Sequence, residues 1–352
     1  AAMVAGLDPR RFQGQAATLG PPGLVGQELI RAGYPVRSLN LDIKRTPLVR
    51  IVARVRELLR EVQPDILHTH LYHPNLCGRL ASVGLGLKGV VASVHNSYNR
   101  VKLHRCLWNF LLSGLTDKVL VSSRQVWQDV RTWDRVPAGK LEILPSGVRL
   151  PDPGAAPDPK KIRAELGVSG FVLGVVGRLE EQKGQRCLLA AIPELMKEIQ
   201  DLTVLLVGEG REVLALKRQA EELEVSPQVN FLGTRRDLPR IFAALDLYVH
   251  PSLWEGLPLA LLMAMGAGLP VVGTRVSGVT EVIADGINGR LAAPGDSQDL
   301  TQAILELYRR PELRRRLGDA ARQTVAERYS QEAMLRRLEQ LYLEILAKKK
   351  SG

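Results

Sequence analysis

The feature that most limits what this chain can fold into is an alternation, run twice, of short apolar stretches with longer segments of helical periodicity. That alternation is the signature of βα units, which build parallel sheets covered by helices. In the first half, strands are expected at Gln13–Leu19, Val36–Leu39, Asp65–His70, Val90–His95, Lys118–Ser122 and Leu141–Leu144. Helices are expected over 48–62, 74–86, 103–114 and 123–132; in 48–62 (LVRIVARVRELLREV) apolar residues fall at helical spacing with arginines opposite. Residues 150–159 (LPDPGAAPDP) lack any period and read as a linker. The alternation then restarts, with strands at Phe171–Gly177, Thr203–Val207, Gln228–Leu232, Leu247–His250 and Pro270–Gly273 and helices over 183–199, 211–224, 237–244 and 257–267. The tail from Ser297 to Lys349 reads as helical with a break at Pro311, and its last helix, Glu332–Ala347, is expected to cross back to the first domain. The expected class is α/β: two doubly wound, Rossmann-like domains (1–150 and 151–330) facing across a cleft, followed by a crossover helix and tail (331–352).

The net charge of +11 lies wholly in the first half of the chain, where residues 1–150 carry 21 Lys and Arg against 10 Asp and Glu. Such asymmetry suits an anionic partner: a phosphorylated acceptor, anionic lipid headgroups or nucleic acid. The alternative is a solubilising surface with no specific partner. Scattered charge and few aromatics (5%) argue against nucleic acid. Lys44, Arg45, Arg50, Arg54, Arg56 and Arg60 suit an anionic membrane surface, and residues 100–112 (RVKLHRCLWNFLL) read either as an interfacial helix or as an amphipathic helix packed on the sheet. No stretch reaches the roughly 20 apolar residues of a membrane span. Cys77, Cys106 and Cys187 are odd in number and widely spaced, which favours free thiols in a reducing compartment over disulfides or a zinc site. The expected location is cytoplasmic, at the inner face of the membrane; the sequence is silent on oligomeric state.

Three segments carry chemistry. In 251–274 (PSLWEGLPLALLMAMGAGLPVVGT) a strand gives way to a loop with Glu255 and Gly256, then to a helix. The free N–H groups at that helix start suit a phosphate, Gly256 permits close backbone approach, and Glu255 can accept from sugar hydroxyls. In 174–184 (GVVGRLEEQKG), Gly177 is followed by Arg178 and then Lys183, which can converge on a diphosphate. In 206–210 (LVGEG) and 228–236 (QVNFLGTRR), strands end in glycine turns at Gly208 and Gly233. Each segment taken singly also reads as an ordinary turn or a solvated loop. The same holds for His68, His70, His73 and His95, which suit packing or capping near strand ends; HTHLYH lacks the acidic or Cys partners of a zinc site.

Taken in order, GRLxxxKG, LVGEG, VxFLG and PSLxEGLPLALLxAMxxGLPVV resemble the group 1 retaining glycosyltransferases of the GT-B fold class, while LDPRRF, the GPPG run, PDILHTH and SVHN resemble that family's amino-terminal domain more loosely. The resemblance implies transfer of a hexose from a UDP- or GDP-sugar, with retention and without a metal, to a polysaccharide or lipid-linked acceptor. It implies that Arg178 and Lys183 hold the donor diphosphate, that Phe231 and Leu232 border the base, and that Gly177 and Gly208 line the site. Glu255 would lie near the sugar hydroxyls, the backbone of Gly256, Leu257, Pro258 and Leu259 would meet sugar and phosphates, and His95 would face the donor sugar.

The sequence departs from that pattern in three ways. Met263 stands where the family's second glutamate accepts from the ribose, a loss of roughly 1–3 kcal/mol in donor binding. The strand and Gly-rich turn with which the family begins do not precede AAMVAGLDPRRF, so the first domain is expected to lack its first, central strand. The family's IPNGVD-like turn reads Leu144–Arg149 (LPSGVR), with a cation at its acidic end. These departures leave open the alternative of a non-catalytic or impaired nucleotide-sugar-binding paralogue.

Overall fold

A computed structural model describes residues 2–95, 103–151 and 158–349. Outside the described residues lie most of the expected linker (152–157), residues 96–102, of which 100–102 open the basic and apolar stretch, and the final 350–352. The chain divides into two compact units, Ala1–Gly147 with Gln331–Gly352, and Val148–Ser330.

The first unit contains β1 (Ala16–Thr18), β2 (Val36–Ser38), β3 (Ile66–His70), β4 (Gly89–Val94), β5 (Lys118–Val121) and β6 (Leu141–Ile143). β1 pairs with β2 in parallel, and β3-β4-β5-β6 form a second parallel sheet; no pairing joins the two among the described residues. Among the described residues the unit's sheet is therefore in two pieces. Its two pieces share one helical layer: Leu19 and Leu39, which follow β1 and β2, and Leu67 of β3 all pack on Ile51, Val55, Leu59, Cys77 and Ala81. Ile51, Val55 and Leu59 recur every four residues on the helix Leu48–Val62, which leaves Arg50, Arg54 and Arg60 exposed. Arg56, grouped with these cations on sequence, instead donates to the carbonyls of Ala81 (2.9 Å) and Val83 (2.6 Å) and closes the helix Tyr72–Ser82. The helix Gln331–Lys348 packs Leu338, Leu341 and Tyr342 on Val91 and Leu120, so it belongs to this unit.

The second unit holds β7 (Phe171–Val176), β8 (Leu202–Val207), β9 (Val229–Gly233), β10 (Leu247–His250), β11 (Val271–Thr274) and β12 (Arg290–Ala292), all parallel in the order β12-β11-β10-β7-β8-β9. Its central strands are buried along their whole length, the pattern of a sheet covered on both faces. One expectation needs correcting. The linker does not run through residue 159, because Pro159–Leu166 is a helix. Asp158 caps it by accepting from the Lys160 amide (2.9 Å), and Pro159 sits in the first turn, where its missing N–H has no intrahelical partner to lose.

Candidate functional site

The second sheet winds outward in opposite directions from β7 and β10, which lie side by side. The space beyond their carboxyl ends is the topological switch point, where open α/β sheets take their ligands. The two loops that leave these strands carry most of the candidate residues. After β7 come Gly177 and Arg178, then a 3-10 turn over Glu181–Lys183. After β10 come Ser252, Trp254, Glu255 and Gly256, then the helix Leu259–Gly266.

Backbone contacts lock the two loops together. Leu253 N donates to Gln182 O (2.8 Å), and Gln182 Nε2 donates to Trp254 O (2.9 Å). Gly184 has φ +63°, and a Cβ there would come within 1.9 Å of Pro251 O, so only glycine lets the loops approach this closely. Gly208, at the end of the neighbouring β8, permits a similar approach: its φ is +136° and a Cβ would meet Gly177 O at 1.9 Å.

This docking brings Lys183 Nζ to 2.5 Å from Glu255 Oε1. The same oxygen accepts from Ser252 Oγ (2.9 Å) and His250 Nε2 (3.0 Å). Among the described residues Oε2 carries no hydrogen bond, so one lobe of the carboxylate is left for another donor. Burial acts to raise the Glu255 carboxyl, but the His250 hydrogen bond and the Lys183 ammonium outweigh it and hold the group well below the usual carboxylate range. His250 is shifted down as well, but here burial prevails over the neighbouring carboxylate, so the imidazole is neutral near pH 7.

Arg178 is exposed, and among the described residues its guanidinium makes only a long contact, 3.5 Å, to Gln182 Oε1. Among the described residues no side chain caps the helix Leu259–Gly266, so its first-turn amides and the positive end of its dipole remain available to an anion beside Glu255, Gly256, Leu257 and Pro258. Met263 lies half-buried on this helix among the apolar side chains of the second unit, where it offers no strong acceptor. Phe231 and Leu232 lie on β9, an edge strand, and Lys217 Nζ is 5.6 Å from the Phe231 ring centroid.

His95 belongs to the first unit, at the end of β4, where its Nε2 lies 3.1 Å from His70 Nδ1 with the rings stacked at 11°. His68 is bound between Tyr342 OH (2.5 Å) and Ser93 Oγ (2.7 Å). Burial lowers all three pKa values, His70 to about 4, with His95 adding to the shift. The residues missed on sequence are His250, Ser252, Gln182 and Gly184. Only the spacing of His250, Ser252 and Glu255 on one strand-to-loop segment hinted at the first two.

Residues 159–324 match the family model described as glycosyl transferases group 1, and residues 2–150 match that described as glycosyltransferase family 4. The chain is 30% identical to N-acetyl-alpha-D-glucosaminyl L-malate synthase of Bacillus anthracis, over 86% of this chain and 80% of that one. It is 27% identical to the UDP-Gal:alpha-D-GlcNAc-diphosphoundecaprenol alpha-1,3-galactosyltransferase of Escherichia coli, over 79% and 75%. Among solved structures, HepE of Anabaena in complex with UDP superposes with a TM-score of 0.86 at 23% identity, covering 97% of this chain and 94% of that one.

Proposed function

The chain belongs to the group 1 glycosyltransferases of the GT-B fold, and from that premise we propose that it transfers a hexose from a UDP- or GDP-sugar, with retention, to an acceptor bearing an anionic group. The observation that carries this reading is the meeting of Lys183 and Glu255 beyond β7 and β10, beside an exposed arginine and an uncapped helix start. In the proposed reaction Arg178, Lys183 and the amides at Leu259 stabilise the charge that grows on the leaving diphosphate, with no metal required. The free lobe of Glu255 accepts from a sugar hydroxyl. With one lobe held by His250 and Ser252 and the other on a sugar hydroxyl, Glu255 is assigned no part as an enzyme nucleophile. The acceptor therefore attacks from the face the diphosphate leaves, within an ion pair, and the anomeric configuration is kept. Gly177 and Gly208 let the backbone approach the diphosphate, while Phe231 and Leu232 border the base. By the family resemblance, His95 is assigned to the donor sugar.

For the acceptor, both named relatives act on anionic molecules, L-malate in one and a diphosphoundecaprenol-linked sugar in the other. The lipid-linked class is favoured by the helix Leu103–Ser113, which buries Cys106 and Leu112 but leaves Leu103, Leu107, Phe110 and Leu111 exposed at 76%, 58%, 47% and 55%. That stripe and the exposed cations Lys44, Arg50 and Arg60 suit the inner face of an anionic membrane. No helix among the described residues is long and apolar enough to cross one.

The test is turnover with a panel of UDP- and GDP-sugars in the presence of chelator, with lipid-linked acceptors and malate in parallel. The product's anomeric configuration is read by NMR. Inversion at the anomeric carbon, or strict dependence on a divalent cation, would overturn the respective part of the proposal.

A further inference from the structure

We propose that His250 is a positioning residue that keeps the Glu255 carboxylate in place while Lys183 leaves it for the donor's diphosphate. The inference rests on the donor-site reading above and assigns a role to a residue that reading does not use.

The three donors on Glu255 Oε1 differ in how firmly they are held. His250 is the last residue of β10, 3% exposed, and Ser252 follows two residues later, fully buried, its carbonyl accepting from Thr274 Oγ1 at 2.5 Å. Both belong to the segment that carries Glu255. Lys183 comes from the other loop, on a flexible four-carbon stem whose methylenes lie along Gly177. A diphosphate at the switch point carries more negative charge than one carboxylate, so it competes for this ammonium. Once Lys183 turns, a buried carboxylate remains without its cation. It stays ionised and correctly aimed only if fixed donors persist.

His250 meets that requirement. Its ring is neutral, so one nitrogen bears hydrogen and the other accepts. Nδ1 lies 3.4 Å from the hydroxyl of Tyr248, a fully buried side chain that also reaches Val176 O at 3.3 Å. The Tyr248 hydroxyl donates to Val176 O and leaves the tautomer open, but Nε2 faces an ionised carboxylate that can only accept, so the hydrogen sits on Nε2 and donates to Glu255. Because His250 and Ser252 both occupy Oε1, the second lobe stays open to a sugar hydroxyl in either state of Lys183.

The experiment uses the full chain and isothermal titration with UDP, UDP-glucose, UDP-N-acetylglucosamine, GDP and GDP-mannose. In His250→Leu the affinity for the bare diphosphate should stay within about twofold, while that for the matching sugar nucleotide falls about tenfold or more. His250→Gln, whose amide N–H reaches the Nε2 position, should regain most of the loss. Should the Leu variant not fold, His250→Asn, whose shorter amide cannot reach Oε1, takes its place with the same expected split. Equal weakening of both ligand classes, or full sugar-nucleotide affinity without the donor, overturns the positioning role alone. Failure of the unmodified protein to bind any of these nucleotides overturns the donor-site reading and this role with it.

Discussion

Lys183 and Glu255, 72 residues apart in sequence, meet at 2.5 Å beyond the carboxyl ends of the two central strands of the second unit. The pair is largely removed from water, with side chains 18% and 6% exposed, so losing the cation leaves a charge with two neutral donors for company. Lys183→Ala should lower stability by about 3 kcal/mol, and it should weaken UDP binding about tenfold or more, since a charge-assisted contact to the diphosphate goes with it. Thermal melts and UDP titration of the same variant check both halves. Unchanged affinity would remove Lys183 from the diphosphate site.

Met263 offers the converse change. If a ribose hydroxyl lies against this face of the helix, Met263→Glu supplies the missing acceptor and tightens UDP binding by roughly 1–3 kcal/mol. Uridine diphosphate and its 2′-deoxy counterpart titrated side by side locate the gain: improvement confined to the ribonucleotide marks a contact to the 2′-hydroxyl.

Gly184 is where the two loops are clamped. A Val at this position must adopt φ +63° with its Cβ against Pro251 O, so Gly184→Val should cost about 2–4 kcal/mol and loosen the contact that presents Lys183 to Glu255. The expected result is a lower melting temperature together with weakened UDP binding. A variant with unaltered stability would show that the close approach is not required.

The first unit should be sensitive to acid. His70 is held at about 4 by burial and by its neighbour His95, against about 6.5 in an unfolded chain. The unfolded state therefore takes up the proton first as pH falls. The contribution is intact above about 6.5 and is lost progressively between about 6.5 and 4, by up to roughly 3 kcal/mol from this residue. His68 and His95 are shifted in the same direction. Urea midpoints should fall from pH 7 to pH 4.5, and less steeply in His70→Asn. A flat profile across this window contradicts the burial of neutral histidines.

The strands of both units were legible because buried parallel strands are continuous apolar runs, and Leu247–His250 was read to the residue. The elements that escaped are short or compositionally disguised. The helix Leu24–Arg31 opens after a Pro-Gly run with no side-chain cap, β12 has three residues, and the helix Pro159–Leu166 begins inside a Pro-rich stretch that looks like linker. In the site, Arg178, Lys183 and Glu255 stood out because cations and acids beside glycine turns are chemically conspicuous. His250 did not, since a histidine at the end of an apolar strand looks like core until Glu255 folds back over it. Nor did the loop clamp, because the contact of Gly184 with Pro251 depends on β7 and β10 lying side by side, and strand order is not written in local sequence.

The most direct measurement of the central claim is a crystal structure of the full chain soaked with UDP. The diphosphate should lie beyond β7 and β10, within hydrogen-bond distance of Lys183 Nζ, Arg178 and the first amides of the helix Leu259–Gly266, with Glu255 still bound to His250. Diphosphate density anywhere else, with Lys183 still paired to Glu255, would contradict the account.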